Sequence, residues 1–266
     1  MCLVYILQIG GIPNADEKPP GDVLLVCKLN PVTEVSPPSA DKAIKNVHGT
    51  KISQQIIRVR ELITQTDKKL LILDVNGLLG HVVGRSITKR PHYYEFLEFC
   101  FERFHVAIWS SRLRSNLDPV LDDLMGDMKK DLLFCWDSSH CTDTGHHTLE
   151  NSNKPLVLKE LRILWNQHEP HLPWRKGVFN ETNTLLLDDS PCKSLLNPPH
   201  TAIFPFPYTQ EKVNDNLLGP MGELRLYLKE LHLAGSVKEH VERKRFGQHK
   251  RTLFLEILPK SYYWVG

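Results

Sequence analysis

The sequence predicts an α/β protein built on a doubly wound parallel sheet, with a poorly ordered N-terminal arm and a helix ahead of it. Two observations carry this. Continuous apolar runs, LLIL before Asp74, HVAIW before Ser110 and Ser111, and TLLL before Asp188 and Asp189, each end on polar residues. Strands covered on both faces read this way, without polar alternation. Segments of helical spacing separate these runs, so the chain alternates β and α and takes right-handed crossovers. In open α/β sheets the ligand crevice lies at the carboxyl ends of the strands, which is where these acids and hydroxyls fall.

Residues 1–41 are rich in proline, with turn signals at Pro13-Asn14, Pro19-Pro20-Gly21 and Pro37-Pro38, and only Val23 to Cys27 could form a strand. An arm that is poorly ordered or loosely docked is expected. Across 42–67, Ile52, Ile56, Ile57, Val59, Leu62 and Ile63 are spaced for one face of an amphipathic helix. The main domain is expected over 68–232, followed by a helical, basic tail over 233–266.

Within that domain, Leu70 to Leu73 form the first strand and deliver Asp74, with Gly77 three positions on. A short connection, GHVVGRSIT, leads to KRPHYYEFLEFCFERF, where Pro91 suits a first helical turn and Phe96, Leu97, Phe99, Cys100 and Phe104 give an apolar face. HVAIWSS is the second strand, NLDPVLDDLMGDM a helix, and LLFCWD a third strand with Cys135 buried in it. PLVLKELRILW reads as a helix with Lys159 in its middle, NTLLLDDSP as a fourth strand and TAIFPF as a short last one. A helical region from about Gly222 closes the chain.

At 266 residues, about two-fifths apolar and about a quarter charged, the chain is ordinary globular material. A net charge of +2 does not point to nucleic acid, and the basic stretch ERKRFGQHKR reads as a solvated helix end. No apolar run reaches transmembrane length. A nuclear or cytoplasmic monomer is expected, with a mitochondrial address open if the N-terminus is truncated. The six cysteines include no C-x-x-C pair, so reduced thiols are expected. CWDSSHCTDTGHH gathers Cys135, His140, Cys141, His146 and His147, but its spacing matches no standard zinc pattern. The expectation is no zinc, with His146 and His147 in a surface loop.

The chemistry is concentrated at the strand tips. Adjacent carboxylates such as Asp188 and Asp189 repel one another unless a cation sits by them, and hard oxygen ligands at turns suit Mg²⁺ better than zinc. Ser110, beside Asp74, can hold a phosphoryl oxygen or cap the next helix.

The order of Asp-x-Asn at a strand tip, KRPHYYEFL, WSS followed by DPV, KELRILW and LLLDDSP resembles the haloacid-dehalogenase-type (HAD-like) phosphatases. It is most similar to the branch acting on the C-terminal domain of RNA polymerase II, with its FCP-homology or NLI-interacting-factor-like domain. That branch also holds the small nuclear and Dullard-type phosphatases and the presequence receptor of the mitochondrial inner-membrane translocase. The first motif is of the plant DLNGLL type, and the resemblance covers about residues 68–232. It implies that Asp74 is a nucleophile forming an aspartyl-phosphate on the way to hydrolysing a phosphoprotein. It implies Mg²⁺ held by Asp74, the carbonyl of Asn76 and an acid of the Asp188/Asp189 pair. Ser110 would bind the phosphoryl oxygen, and Lys159 would fill the third motif. Lys154 is the other lysine nearby, but only Lys159, with Leu161, Leu164 and Trp165, satisfies Lys-x-Leu-x-x-apolar-Trp.

Two departures bear on activity. Active members carry Asp two residues after the nucleophile as general acid and base, and this chain has Asn76. The connection from Asp74 to Lys89 is too brief for the strand pair that often covers such a site. Two readings follow: a Mg²⁺-dependent Ser/Thr phosphoprotein phosphatase impaired at Asn76, or a binding module without turnover that engages a protein partner, as in the translocase receptor.

Overall fold

The computed structural model describes residues 68–248, apart from 149–150, 168–171, 173 and 213. The arm expected over 1–41, the helix expected over 42–67 and the end of the tail lie outside the described residues.

Five parallel strands make the central sheet: β1 (Leu70–Leu73), β4 (His105–Trp109), β5 (Cys135–Trp136), β8 (Thr184–Leu187) and β9 (Ala202–Ile203). Their spatial order is β5-β4-β1-β8-β9, so β1 is central, with Leu73 level with Ile108 on one side and Leu187 on the other. The two outer strands also run parallel to their neighbours.

The pleat explains why the inner strands lack polar residues. Successive side chains point to opposite faces, so Leu71 and Leu73 enter one core and Leu70 and Ile72 the other. On the first face pack α1 (Tyr93–Arg103), α2 (Arg114–Met125), α4 (Glu223–Leu233) and α5 (Val237–Arg243). The second face holds the short α3 (Leu161–Trp165), through Leu164, beside Trp174 and Phe179. The sheet is thus doubly wound, as expected. Ser236 caps α5 by accepting from the Glu239 N–H, and Val237 and Val241 join the main core, so the start of the basic tail is built into the domain.

Several local expectations are corrected. GHVVGRSIT is not a bare connection: β2 (Gly80–Val83) and β3 (Ser86–Lys89) pair antiparallel around Gly84, whose φ of 58° suits the tight turn. Pro91 precedes helix α1, and His92 at its N-cap takes a φ of 64°. PLVL is strand, not helix. It ends β7 (Asn151–Leu158), which pairs with β6 (Thr142–Thr148), and Leu156 and Leu158 are buried while Val157 is less so. That period of two, with Pro155 unable to continue a helical ladder, overrides the helical spacing. Lys159 therefore stands in the link between β7 and α3. Cys135 is half-buried, and His146 and His147 sit exposed on β6 rather than in a loop, because the hairpin pairing reaches through them.

Candidate active site

β1 carries Asp74 to the tip of the sheet, where its N–H still donates to the Leu187 carbonyl at 2.9 Å, prolonging the ladder by one residue. The chain then turns tightly. Gly77 takes a φ of 79° and donates to the Gly80 carbonyl at 2.7 Å. A side chain at Gly77 would collide with the Asp189 carboxylate, so glycine is required twice over, for its dihedral and for this approach. The Asn76 side chain faces the hairpin: its Oδ1 accepts the Val82 N–H at 2.8 Å and ties the root of β2 to the Asp74 turn.

Of the residues singled out in the sequence, Asp74, Lys159, Asp188 and Asp189 converge. Lys159, fully buried, donates to Asp74 Oδ1 at 2.9 Å and to Asp188 Oδ2 at 2.5 Å. Asp74, Asp188 and Asp189 each offer an oxygen, all within 4.8 Å of one another. Ser110, buried at the tip of β4, accepts the Arg112 N–H on its Oγ at 3.3 Å. A hydroxyl that accepts in this way keeps its own proton to donate to a ligand oxygen. Lys193 joins them without having been expected, its ammonium 3.1 Å from Asp188, 3.4 Å from Asp74 and 3.9 Å from Asp189. Its only trace in the sequence is the four-residue interval from Asp189, one helical turn.

Asn197 was also missed. It clamps the chain just after Lys159, donating to the Lys159 carbonyl and accepting the Leu161 N–H, each at 2.8 Å. The Lys159 N–H donates to the Lys193 carbonyl at 2.7 Å, so the backbones of the two lysines are fixed together.

Burial pushes the Asp189 carboxyl up to about 7, with Asp188 and Asp74 adding to the rise against the pull of Lys193. For Asp188 burial pushes up too, but the Lys159 and Lys193 ammoniums and the Ser190 N–H outweigh it and hold the carboxyl below its usual range. The same acids hold the Lys193 ammonium well above its ordinary value despite burial. Three carboxylates face two ammoniums, and Asp189, held only at 3.9 Å by Lys193, is the one whose carboxyl burial raises on balance. An all-oxygen set short of cationic charge fits a hard divalent ion. Cys135 instead takes a hydrogen bond from Arg114.

The chain is 27% identical over 154 residues to an uncharacterized FCP1 homology domain-containing protein of Schizosaccharomyces pombe, covering 53% of this chain and 62% of that one. It is 26% identical over 172 residues to ubiquitin-like domain-containing CTD phosphatase 1 of Xenopus tropicalis, covering 62% of this chain and 50% of that one. The chain thus spans between half and two-thirds of the length of these curated relatives. The solved fission yeast RNA polymerase II CTD phosphatase Fcp1, bound to beryllium fluoride, is 16% identical, covering 76% of this chain and 63% of that one at a TM-score of 0.41. The family profile of the NLI interacting factor-like phosphatases matches residues 55–239, well over half of the chain, and the chain belongs to that HAD-like family.

Proposed function

We propose that the chain is a Mg²⁺-dependent phosphatase for phosphoserine or phosphothreonine in proteins, working through Asp74 and slowed by Asn76. The observation that carries this is the convergence of Asp74, Lys159, Asp188 and Asp189 at neighbouring strand tips, with buried Ser110 on the adjoining strand. The relative named as a CTD phosphatase makes a phosphorylated polymerase tail a candidate substrate.

In the first step a carboxylate oxygen of Asp74 attacks phosphorus, forming the acyl phosphate while the bond from phosphorus to the substrate oxygen breaks. Lys159, fixed by its two carboxylates and by the Asn197 clamp, neutralises charge beside the reacting oxygen. The Ser110 hydroxyl donates to a phosphoryl oxygen. Asp74, the Asn76 carbonyl and Asp188 or Asp189 would hold Mg²⁺, which would supply screening of the phosphoryl charge. In the second step water attacks phosphorus, the bond to Asp74 breaks, and phosphate leaves.

Both steps need a proton moved, to the departing alkoxide and from the water. The Asn76 amide transfers none, and general acid–base help is worth roughly 10²–10⁴ in rate. Aryl phosphate, whose leaving group departs without protonation, is expected to be turned over faster than phosphoserine peptide.

Asn76→Asp tests the reading. Aspartate keeps an oxygen for the Val82 N–H, so the hairpin root should stay in place. Activity should rise about 10- to 10⁴-fold, more on the peptide than on aryl phosphate, and Asp74→Asn should abolish it in either background. Asn76 itself also favours the second reading, a phosphatase-like binding module for a protein partner. A folded Asn76→Asp protein as inert as the wild type would establish that one instead.

A further inference from the structure

We infer that Lys193 is a tethered counter-ion that stands in the place of the divalent cation and competes with it for the same carboxylates. The inference rests on the proposed phosphatase reading only in taking from it the identity of the cation.

Its Nζ lies within 3.9 Å of Asp74, Asp188 and Asp189 together, the same three acids whose oxygens cluster within 4.8 Å. A divalent ion on those oxygens would need the same space, and ion and ammonium repel one another at such range. One has to move for the other.

The two lysines of the site are built differently in this respect. Lys159 touches two of the acids, is fully buried, and has its carbonyl held by Asn197. It is part of the frame. Lys193 touches all three at longer distances, keeps 12% of its side chain exposed, and rises from the single turn of 3₁₀ helix over Pro191–Ser194. Its backbone is held, because its carbonyl accepts the Lys159 N–H at 2.7 Å. The four-carbon stem is then the part free to swing, carrying a compact charge outward without disturbing the frame. Without metal, Lys193 would keep three crowded carboxylates from repelling one another, and with metal it would withdraw.

A purely structural lysine makes the opposite prediction. Removing a strut loosens the carboxylates and weakens metal binding, whereas removing a competitor strengthens it. The experiment is calorimetric titration of wild type, Lys193→Met and Lys193→Gln with Mg²⁺ alone, paired with thermal melting in chelator and in Mg²⁺. The expected result is a Kd for Mg²⁺ tighter by about tenfold or more in both neutral variants, with a lower melting temperature in chelator and a larger rise on adding Mg²⁺. Should the neutral variants fold only with Mg²⁺ present, that rescue supports the same conclusion. Lys193→Arg, which keeps the charge, should bind Mg²⁺ no more tightly than wild type. Neutral variants that bind Mg²⁺ as wild type does or more weakly, or that fold under neither condition, overturn the role of Lys193, as does an arginine variant as tight as the methionine one. If wild type and neutral variants alike bind no Mg²⁺, the metal part of the proposed function fails and takes this inference with it.

Discussion

Arg90, buried beside the Gly77 turn, meets the largely buried Asp215 as one guanidinium against one carboxylate, whereas a few residues away three carboxylates share two lysines. The arginine pair is bidentate, at 2.8 and 2.7 Å, and its remaining nitrogen donates to the Gly77 and Leu78 carbonyls at 3.2 Å. The charge is balanced and four of the five N–H donors are used, in the planar fork geometry arginine is suited to. The Asp74 cluster sets three carboxylates against two ammoniums, and burial, with Asp188 and Asp74 alongside, raises the Asp189 carboxyl. Both are buried ionic groups next to the same turn, yet one is a finished lock and the other is unfinished without a ligand. Balance marks scaffolding here, and imbalance marks the place where a phosphoryl group and a cation would complete the set.

The largest effect should come from breaking the lock. Arg90→Leu strands the Asp215 carboxylate, with only 10% of its side chain exposed, and removes a donor from the Leu78 carbonyl and one of two from the Gly77 carbonyl, which keeps the Tyr208 N–H. Removing one partner of a buried pair typically costs about 3–5 kcal/mol. Denaturant unfolding should show a loss of that size. A loss under about 1 kcal/mol would mean that the pair is not the lock it looks to be.

That pair also shows where reading the sequence stops. Asp74, Ser110, Asp188 and Asp189 are legible because each follows an apolar run that only a buried strand explains. Asp215 lies 125 residues from Arg90, and nothing in a local pattern joins them. Lys159 is legible by its neighbours Leu161 and Trp165 while its element is not, since PLVL carries helical and strand spacing at once and the β6 pairing decides. Lys193 and Asn197 fold back over the strand tips through a turn whose direction is a tertiary matter. The β2–β3 hairpin is hidden by its shortness: four residues a side around Gly84 give little periodicity to detect.

A smaller effect sharpens the comparison at the other end of the sheet. His105 opens β4, edge-on to Phe179, and burial together with the Lys68 ammonium lowers its pKa to about 4. Here burial and a neighbouring ammonium favour the neutral ring. Between about 6.5 and 4 the unfolded chain takes up a proton that the folded chain refuses, so stability should fall as pH is lowered through that window. Allowing for the partial exposure of the ring, the loss should be about 1–3 kcal/mol. Melting His105→Gln beside wild type from pH 7 to pH 4 should show the two curves converging as pH drops. Parallel curves would show that the imidazole takes a proton in the folded state as easily as in the unfolded one.

The smallest effect comes from an ion pair with the same chemistry as the site and none of its burial. Lys89 meets Asp123 at 2.8 Å, as close as any contact of Lys193, but with 30% and 57% of the two side chains exposed. Water already solvates both partners, so the Coulomb attraction is weak and is offset by the entropy of holding two long side chains. Lys89→Met should therefore change stability by less than about 1 kcal/mol, and that difference should vanish in high salt. The apolar stem also keeps its place beside the Tyr93 ring, which lies 5.4 Å from the ammonium, so methionine preserves most of the packing. A double-mutant cycle with Asp123→Asn isolates the pair from that packing, and coupling of about 0.2–1 kcal/mol is expected. Coupling as large as the Arg90→Leu loss would break the distinction, because distance alone would then set the worth of a charge pair in this protein. With burial as the deciding variable, Lys89 and Lys193 are the same residue in two solvents, and only the second can hold a site closed against a metal ion.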